Sequence, residues 1–131
     1  MSDLSNYAET ALVNHLLRNT AYTSPTTVYV ALFTAVSDAE AGTGTEVSGG
    51  SYARQAVTFS APSPDGVTTN SSTVTFPTAT GSWGTVTYAG LFDASTNGNA
   101  LTILKALSAS KTVASGDILR FPAGDINFSL A

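Results

Sequence analysis

The side chains that could carry out chemistry are few, and their spacing argues against an enzyme. The 131-residue chain has no cysteine, and its one histidine is His15. His15 is therefore the only imidazole base available to a serine or threonine nucleophile, and no G-x-S-x-G elbow accompanies it. It lies on the apolar stripe of a predicted helix, where a histidine is more often a packed or interface residue than a base. We predict no catalytic residues and no cofactor.

The carboxylates also show no catalytic or metal-binding spacing. Glycoside hydrolysis needs two acids at a fixed separation, whereas Glu9 is on the predicted helix, and Glu40 and Glu46 are in a predicted loop. Three of the six aspartates lie beside turn glycines, as in Asp65-Gly66. Asp38, Glu40 and Glu46 could offer oxygens to Ca²⁺, but no EF-hand spacing is present. A solvated or partner-binding loop is favoured, and no metal site is predicted.

Composition excludes two further classes of partner. Five scattered cations and a net charge of −4 are unsuited to neutralising phosphates, so nucleic-acid binding is not expected. No apolar run approaches the ~18 residues of a membrane span. The N-terminal segment has no basic and apolar signal regions, which predicts synthesis in a cytoplasm without export by that route.

Hydroxyls take the place of charges on the predicted surface. Serine and threonine make up 36 of 131 residues, and only 11% are charged, against about 25% in an average soluble domain. Neutral hydroxyls lose less than charges do when a partner removes their water. The composition therefore suits a protein that makes contacts over much of its surface.

The elements that position these residues are one helix and a series of strands. Helical periodicity predicts a helix over residues 2–19, with Ser2 as N-cap. Its apolar stripe consists of Leu4, Tyr7, Ala8, Ala11, Leu12, His15 and Leu16. Val13 and Leu17 widen this stripe, so we expect the helix to meet two surfaces.

The rest of the chain reads as β-structure. Residues 26–34 are nearly continuously apolar, typical of a strand buried on both faces, and residues 36–51 form a long acidic, glycine-rich loop. About eight short strands predict an antiparallel β-sandwich, jelly-roll-like or Ig-like, over residues 26–131 of one domain spanning 1–131. The other predicted strands are 52–60, 72–76, 85–93, 100–108, 111–113, 118–121 and 125–130.

Trp83 stands out among the aromatic residues because it lies between Gly81-Ser82 and Gly84. A tryptophan in such a segment can be an exposed interface residue. It can equally cover the end of the sandwich. The sequence leaves both positions open.

Several long stretches resemble one family of small tailed-bacteriophage virion proteins. They are LSNYAETALVNHLL (4–17), TAYTSPTTVYVALFTA (20–35), GTEVSGGSYARQAVTF (44–59), TFPTATGSWGTVTYAGLFDASTNGNAL (75–101) and SKTVASGDILRFPAGDINFSL (110–130). Members of this family are commonly labelled tail fibre protein, and structurally similar small β-proteins serve as capsid cement or decoration proteins. The resemblance implies a non-enzymatic virion protein.

Among virion roles, we favour a capsid cement or decoration protein that binds and stabilises the shell of the major capsid protein and forms a homodimer or homotrimer. A tail or neck component, such as a fibre adaptor or baseplate subunit, is the alternative, followed by a knob that binds a host receptor or carbohydrate through Trp83 and Tyr88. Long repetitive fibres are excluded because the chain has no repeats. The expected contact residues are Tyr7, Leu12, His15, Leu16, Asp38, Glu40, Glu46, Val47 and Trp83.

Overall fold

The computed structural model of the protein describes residues 2–130, which form one N-terminal helix followed by nine short strands. The elements are α1 (Asn6–Leu17), β1 (Val28–Asp38), β2 (Thr43–Glu46), β3 (Gln55–Val57), β4 (Val67–Thr69), β5 (Val74–Thr75), β6 (Gly84–Phe92), β7 (Lys105–Val113), β8 (Arg120–Phe121) and β9 (Asn127–Ser129). The predicted class, mainly antiparallel β with one N-terminal helix, is confirmed.

The strands form one large sheet and two small ones. The large sheet has the order β2-β1-β6-β7, and β3 pairs with the part of β1 that β2 leaves free. The small sheets are β4-β9 and β5-β8, and every pairing is antiparallel. Side chains of β1, β6, β5 and β8 meet in one apolar core between the large sheet and the smaller ones.

Strand β1 is buried on both faces, as its apolar run predicts. Val30 and Leu32 point into the main core, which also contains Phe76, Trp83 and Val86. The alternate residues of β1 point into a second cluster made of Ala31, Phe33, Phe92, Ala100 and Leu104. The second face is therefore covered by the segment that follows β6.

Helix α1 is shorter than predicted at both ends. Its N-cap is Ser5, whose Oγ accepts a hydrogen bond of 3.1 Å from the backbone N of Ala8, so the prediction of Ser2 as the cap is wrong. Before the cap, the backbone of Asp3 is bonded to other parts of the chain: Asp3 N donates to Ser129 O at the end of β9, and Asp3 O accepts from Ile103 N. At the other end Asn19 has a φ of 54°, a conformation that stops a helix.

The segment 36–51 is not one long loop. Strand β1 continues to Asp38 and turns back as β2, which pairs Phe33 with Glu46 and Asp38 with Thr43. At the tip, Asp38 Oδ1 accepts hydrogen bonds from the backbone N of Glu40 and of Ala41, a common way for aspartate to close a turn. Glycine and acid content predicted a loop here, but pairing with a fixed β1 imposes strand geometry.

Two further strand predictions differ from the structure. Strand β4 was not predicted, because its three residues carry no distinct alternation and become a strand only by pairing with β9. Residues 100–108 and 111–113, predicted as two strands, overlap a single strand β7 that begins at Lys105. Its pairing with β6 shifts register between Val86 and Tyr88, where residues 107–110 lie opposite Thr87 alone, so the alternation of the strand is interrupted.

Candidate protein-interaction surface

Helix α1 is held to the β-structure mainly at its N-terminal end. Ser5 Oγ donates to Ala100 O, and Ser5 N donates to Leu101 O at 3.2 Å. One residue later, Asn6 N donates to Glu40 O at 2.9 Å. These bonds fix where the helix starts and place the β1–β2 turn beside its first residues.

No residue of α1 is buried, although apolar residues lie on both of its sides. Ala8, Ala11 and Leu12 face the body of the protein and are half-buried. On the outer side Val13, Leu16 and Leu17 are 51%, 67% and 79% exposed. A helix that is apolar on both sides is usually covered on both, so the outer side is a candidate contact surface, called here the outer face.

The predicted contact residues of α1 divide between its sides. Leu16 belongs to the outer face, whereas Leu12 faces inwards and Tyr7 is 40% exposed at the flank. His15 is exposed, and its Nδ1 accepts a hydrogen bond of 3.3 Å from the backbone N of Tyr22. His15 thus helps hold the chain that leaves the helix.

Four of the expected contact residues lie in the acidic segment 36–51, and two of these four are near α1. Asp38 and Glu40 are exposed on the β1–β2 turn, which contacts the helix through Glu40 O. Val47 is buried in the main core, and its N donates to Leu32 O at 3.0 Å. Glu46 belongs to a separate, inward-facing network.

That network joins Glu46 to Tyr52 and Arg54. Arg54 forms two parallel hydrogen bonds with the carboxylate, Nε to Oε2 at 2.8 Å and NH2 to Oε1 at 2.9 Å. Tyr52 donates to Oε2 at 2.6 Å and accepts from Leu32 N at 3.0 Å. The Arg54 side chain is 6% exposed and that of Glu46 is 27% exposed, so the pair is largely removed from water.

Arg54 also reaches beyond the ion pair. Its NH1 donates to Ala94 O and Asn97 O, both at 2.9 Å, and its guanidinium carbon lies 4.2 Å from the centroid of the Phe92 ring. One side chain therefore ties β2 and the segment before β3 to the turn that follows β6. The planar guanidinium suits this combination of forked bonds and ring stacking.

The pKa values in this network shift in the directions that the contacts dictate. Burial raises the pKa of Glu46, but the hydrogen bonds from Arg54 and Tyr52 outweigh it and leave the pKa below its ordinary value. Burial together with the bond to Glu46 raises the pKa of Tyr52. The bond to Glu46 raises the pKa of Arg54 despite its burial. At neutral pH, Glu46 is therefore a carboxylate, Arg54 is a charged guanidinium and Tyr52 is a neutral phenol.

Trp83 occupies the buried one of its two predicted positions. It is 4% exposed, and its Nε1 donates to Gly50 O at 2.9 Å. Its ring lies edge-on to Tyr52 and Phe76, with centroid distances of 5.5 and 6.3 Å. Of the two positions left open by the sequence, the exposed one is therefore wrong for the folded chain. Stacking of a sugar on this ring would require the core to open.

Sequence reasoning missed Tyr52 and Arg54, although a signal was present. Arg54 is one of only five cations, and it lies eight positions after an acid in the stretch EVSGGSYARQ. An isolated arginine beside alternating apolar residues indicates a buried partner. The pairing could not be derived because the turn that brings residues 46 and 54 together was unknown.

The described residues contain neither of two features that would point to other functions. Among residues 2–130, no group of three or more histidine, aspartate or glutamate side chains could hold a metal ion. In the same part of the chain, no helix has both the length and the apolar character to cross a membrane.

Comparison with known proteins places the chain in a family of phage structural proteins. Residues 3–129 match the family described as podophage GP4 fiber I protein gp80. Because the match covers nearly the whole chain, the protein belongs to this fibre protein family and is a component of the phage virion. None of the curated proteins matches the chain significantly.

Proposed function

We propose that this protein is a non-enzymatic fibre subunit of a podophage tail, attached to other virion proteins through the outer face of α1. The observation that carries the proposal is the helix with apolar side chains on both sides and no buried residue. Exposed aliphatic side chains at positions i, i+3 and i+4 form a continuous seam on a helix. Exposing such a seam to water costs free energy, and a partner that covers the seam removes this cost.

The position of the outer face suits attachment. Its residues lie in the C-terminal half of α1, while the bonds to Ala100, Leu101 and Glu40 hold the other end. A partner can therefore cover Val13, Leu16 and Leu17 without breaking a contact within the chain. Asp38 and Glu40 lie beside the first residues of the helix and extend the candidate contact area.

The family description favours the tail over the capsid shell. The cement role, with the major capsid protein as partner, stays a prediction that the same experiment tests. A homodimer or homotrimer within the fibre also stays a prediction. The receptor-binding alternative loses its main support because Trp83 is enclosed in the core.

The test is to locate the chain in an intact particle by electron cryomicroscopy and to determine its copy number. We expect density for this fold on the tail, a copy number that follows tail symmetry, and a neighbouring chain packed on Leu16 and Leu17. Density spread over the shell would support the cement role and contradict the tail assignment. An α1 that faces solvent in the assembled particle would contradict the proposed attachment.

A further inference from the structure

A cavity of about 350 Å³ lies between α1 and the β-structure. Leu4 and Leu12 form its wall on the N-terminal segment, and Phe59, Leu91 and Phe128 form the opposite wall. The space is partly open to solvent, and its lining is almost entirely apolar. The volume falls within the range of about 300–1,000 Å³ that is typical of small-molecule sites.

Two features keep the space open. Ala8 and Ala11 are the residues of α1 that face the cavity over its middle turns, and their methyl groups do not reach across it. The N-terminal end of the helix is also held in place by the bonds of Ser5 and Asn6 to Ala100, Leu101 and Glu40. The first turn of the helix therefore cannot settle onto the sheet without breaking these bonds.

The chemistry of the wall selects against polar occupants. No charged residue lines the cavity, and its polar side chains are those of Tyr22, Thr68 and Thr102. The hydroxyl of Thr68 donates to Ser60 O at 2.6 Å, and that of Thr102 accepts from Leu91 N at 3.1 Å. A charged group placed against these walls would lose part of its water and find no opposite charge.

We propose that this cavity binds one uncharged, apolar small molecule, of the chemical class of aromatic hydrocarbons and medium-length aliphatic chains. Such a ligand fills the space under α1 and stabilises the folded protein by an amount that rises with the logarithm of the ligand concentration above its dissociation constant. The proposal is independent of the outer face, which lies on the opposite side of the helix.

A matched pair of fluorescent probes tests the proposal on the full chain. N-phenyl-1-naphthylamine is uncharged, and 8-anilino-1-naphthalenesulfonate has the same aromatic framework with a sulfonate added. We expect the uncharged probe to bind saturably at one molecule per chain and to raise the melting temperature. The sulfonate should bind more weakly by about tenfold or more.

Filling the cavity provides the site-specific variant. Ala11→Leu places a larger apolar side chain in the space and should weaken binding of the uncharged probe by about tenfold, with the far-UV circular dichroism unchanged. Ala8→Leu serves if Ala11→Leu does not fold, and Ala109→Leu, at an exposed position of β7, is the matched control that should bind as the parent does. No saturable binding, equal binding of the two probes, or full binding by a folded Ala11→Leu variant would overturn the proposal.

Discussion

At the scale of single residues, Arg54 makes the most varied set of contacts in the described chain. It pairs with Glu46, donates to two backbone carbonyls and stacks on Phe92. Removing it leaves two carbonyls without this donor and a partly buried carboxylate that keeps the hydrogen bond from Tyr52 but loses its opposite charge. Loss of one member of a buried ion pair is more destabilising than the pair itself is stabilising.

We therefore expect Arg54→Ala to lower the free energy of unfolding by about 3 kcal/mol. Arg54→Lys should recover only part of this loss, because an ammonium cannot form the forked bonds or stack in the same way. Urea denaturation measures both values. Arg18→Ala is the control, since Arg18 is exposed and its guanidinium bonds to Asn14 on the same helix. An equal loss for the two alanine variants would contradict the account.

The lowered pKa of Glu46 predicts a specific pH dependence. Because the folded-state pKa lies below the unfolded value, the carboxylate stabilises the fold fully above the unfolded pKa, near 4.5. That contribution is lost as the pH falls through the folded-state pKa. We expect the parent to be more stable than Glu46→Gln near neutral pH, with the difference shrinking as the pH falls to about 3. A difference in free energy of unfolding that stays constant between these pH values would contradict the assignment.

At the scale of elements, periodicity predicted the type of most elements and left their ends undetermined. Helical periodicity was sufficient for α1, and runs rich in β-branched, aromatic and other apolar residues were sufficient for β1 and β6. Strands β2 and β4 depend on pairing with β1 and β9, a long-range contact that no local pattern encodes. Likewise, the helix start at Ser5 depends on Ala100 and Leu101, which are distant in sequence.

Ser5 connects the helix to the sheet and is the next residue to test. Its Oγ accepts from Ala8 N and donates to Ala100 O, and Ser5 is buried. Ser5→Ala should cost about 1–2 kcal/mol of stability, from the lost cap and the unpaired carbonyl. Ser2→Ala provides the control, because Ser2 was the cap expected from sequence alone. Thermal or urea unfolding compares the two, and a larger loss for Ser2→Ala would contradict the observed helix start.

At the scale of the whole molecule, the surface explains why composition indicated a protein with extensive contacts but not its contact site. Four pairs of hydroxyls in the described residues bond to one another, as in Thr58–Ser71 at 2.7 Å and Thr85–Thr112 at 3.1 Å. These pairs satisfy surface hydroxyls without adding charge. They are spread over the molecule, however, so composition alone could not identify the outer face of α1.

Only some of the contact residues expected from the sequence lie on the surface of the folded chain. Helical periodicity identified Leu16 and predicted that the helix meets two surfaces, and its outer face is indeed uncovered in the single chain. Trp83 and Val47 were chosen for an unusual setting and for loop membership, but both are core residues. A residue in an unusual sequence setting can be required either for core packing or for a surface contact. Only the fold shows which of the two applies.

The most direct test of the central claim is the incorporation of a Leu16→Ser/Leu17→Ser variant into phage particles, measured as copies per purified virion. Both side chains are highly exposed, so the isolated variant should keep its stability to within about 0.5 kcal/mol. Ile118→Ser, at an exposed aliphatic residue away from the helix, is the matched control. The account predicts that the double variant is depleted from particles while Ile118→Ser is incorporated at the parent level. Normal incorporation of the double variant would contradict it.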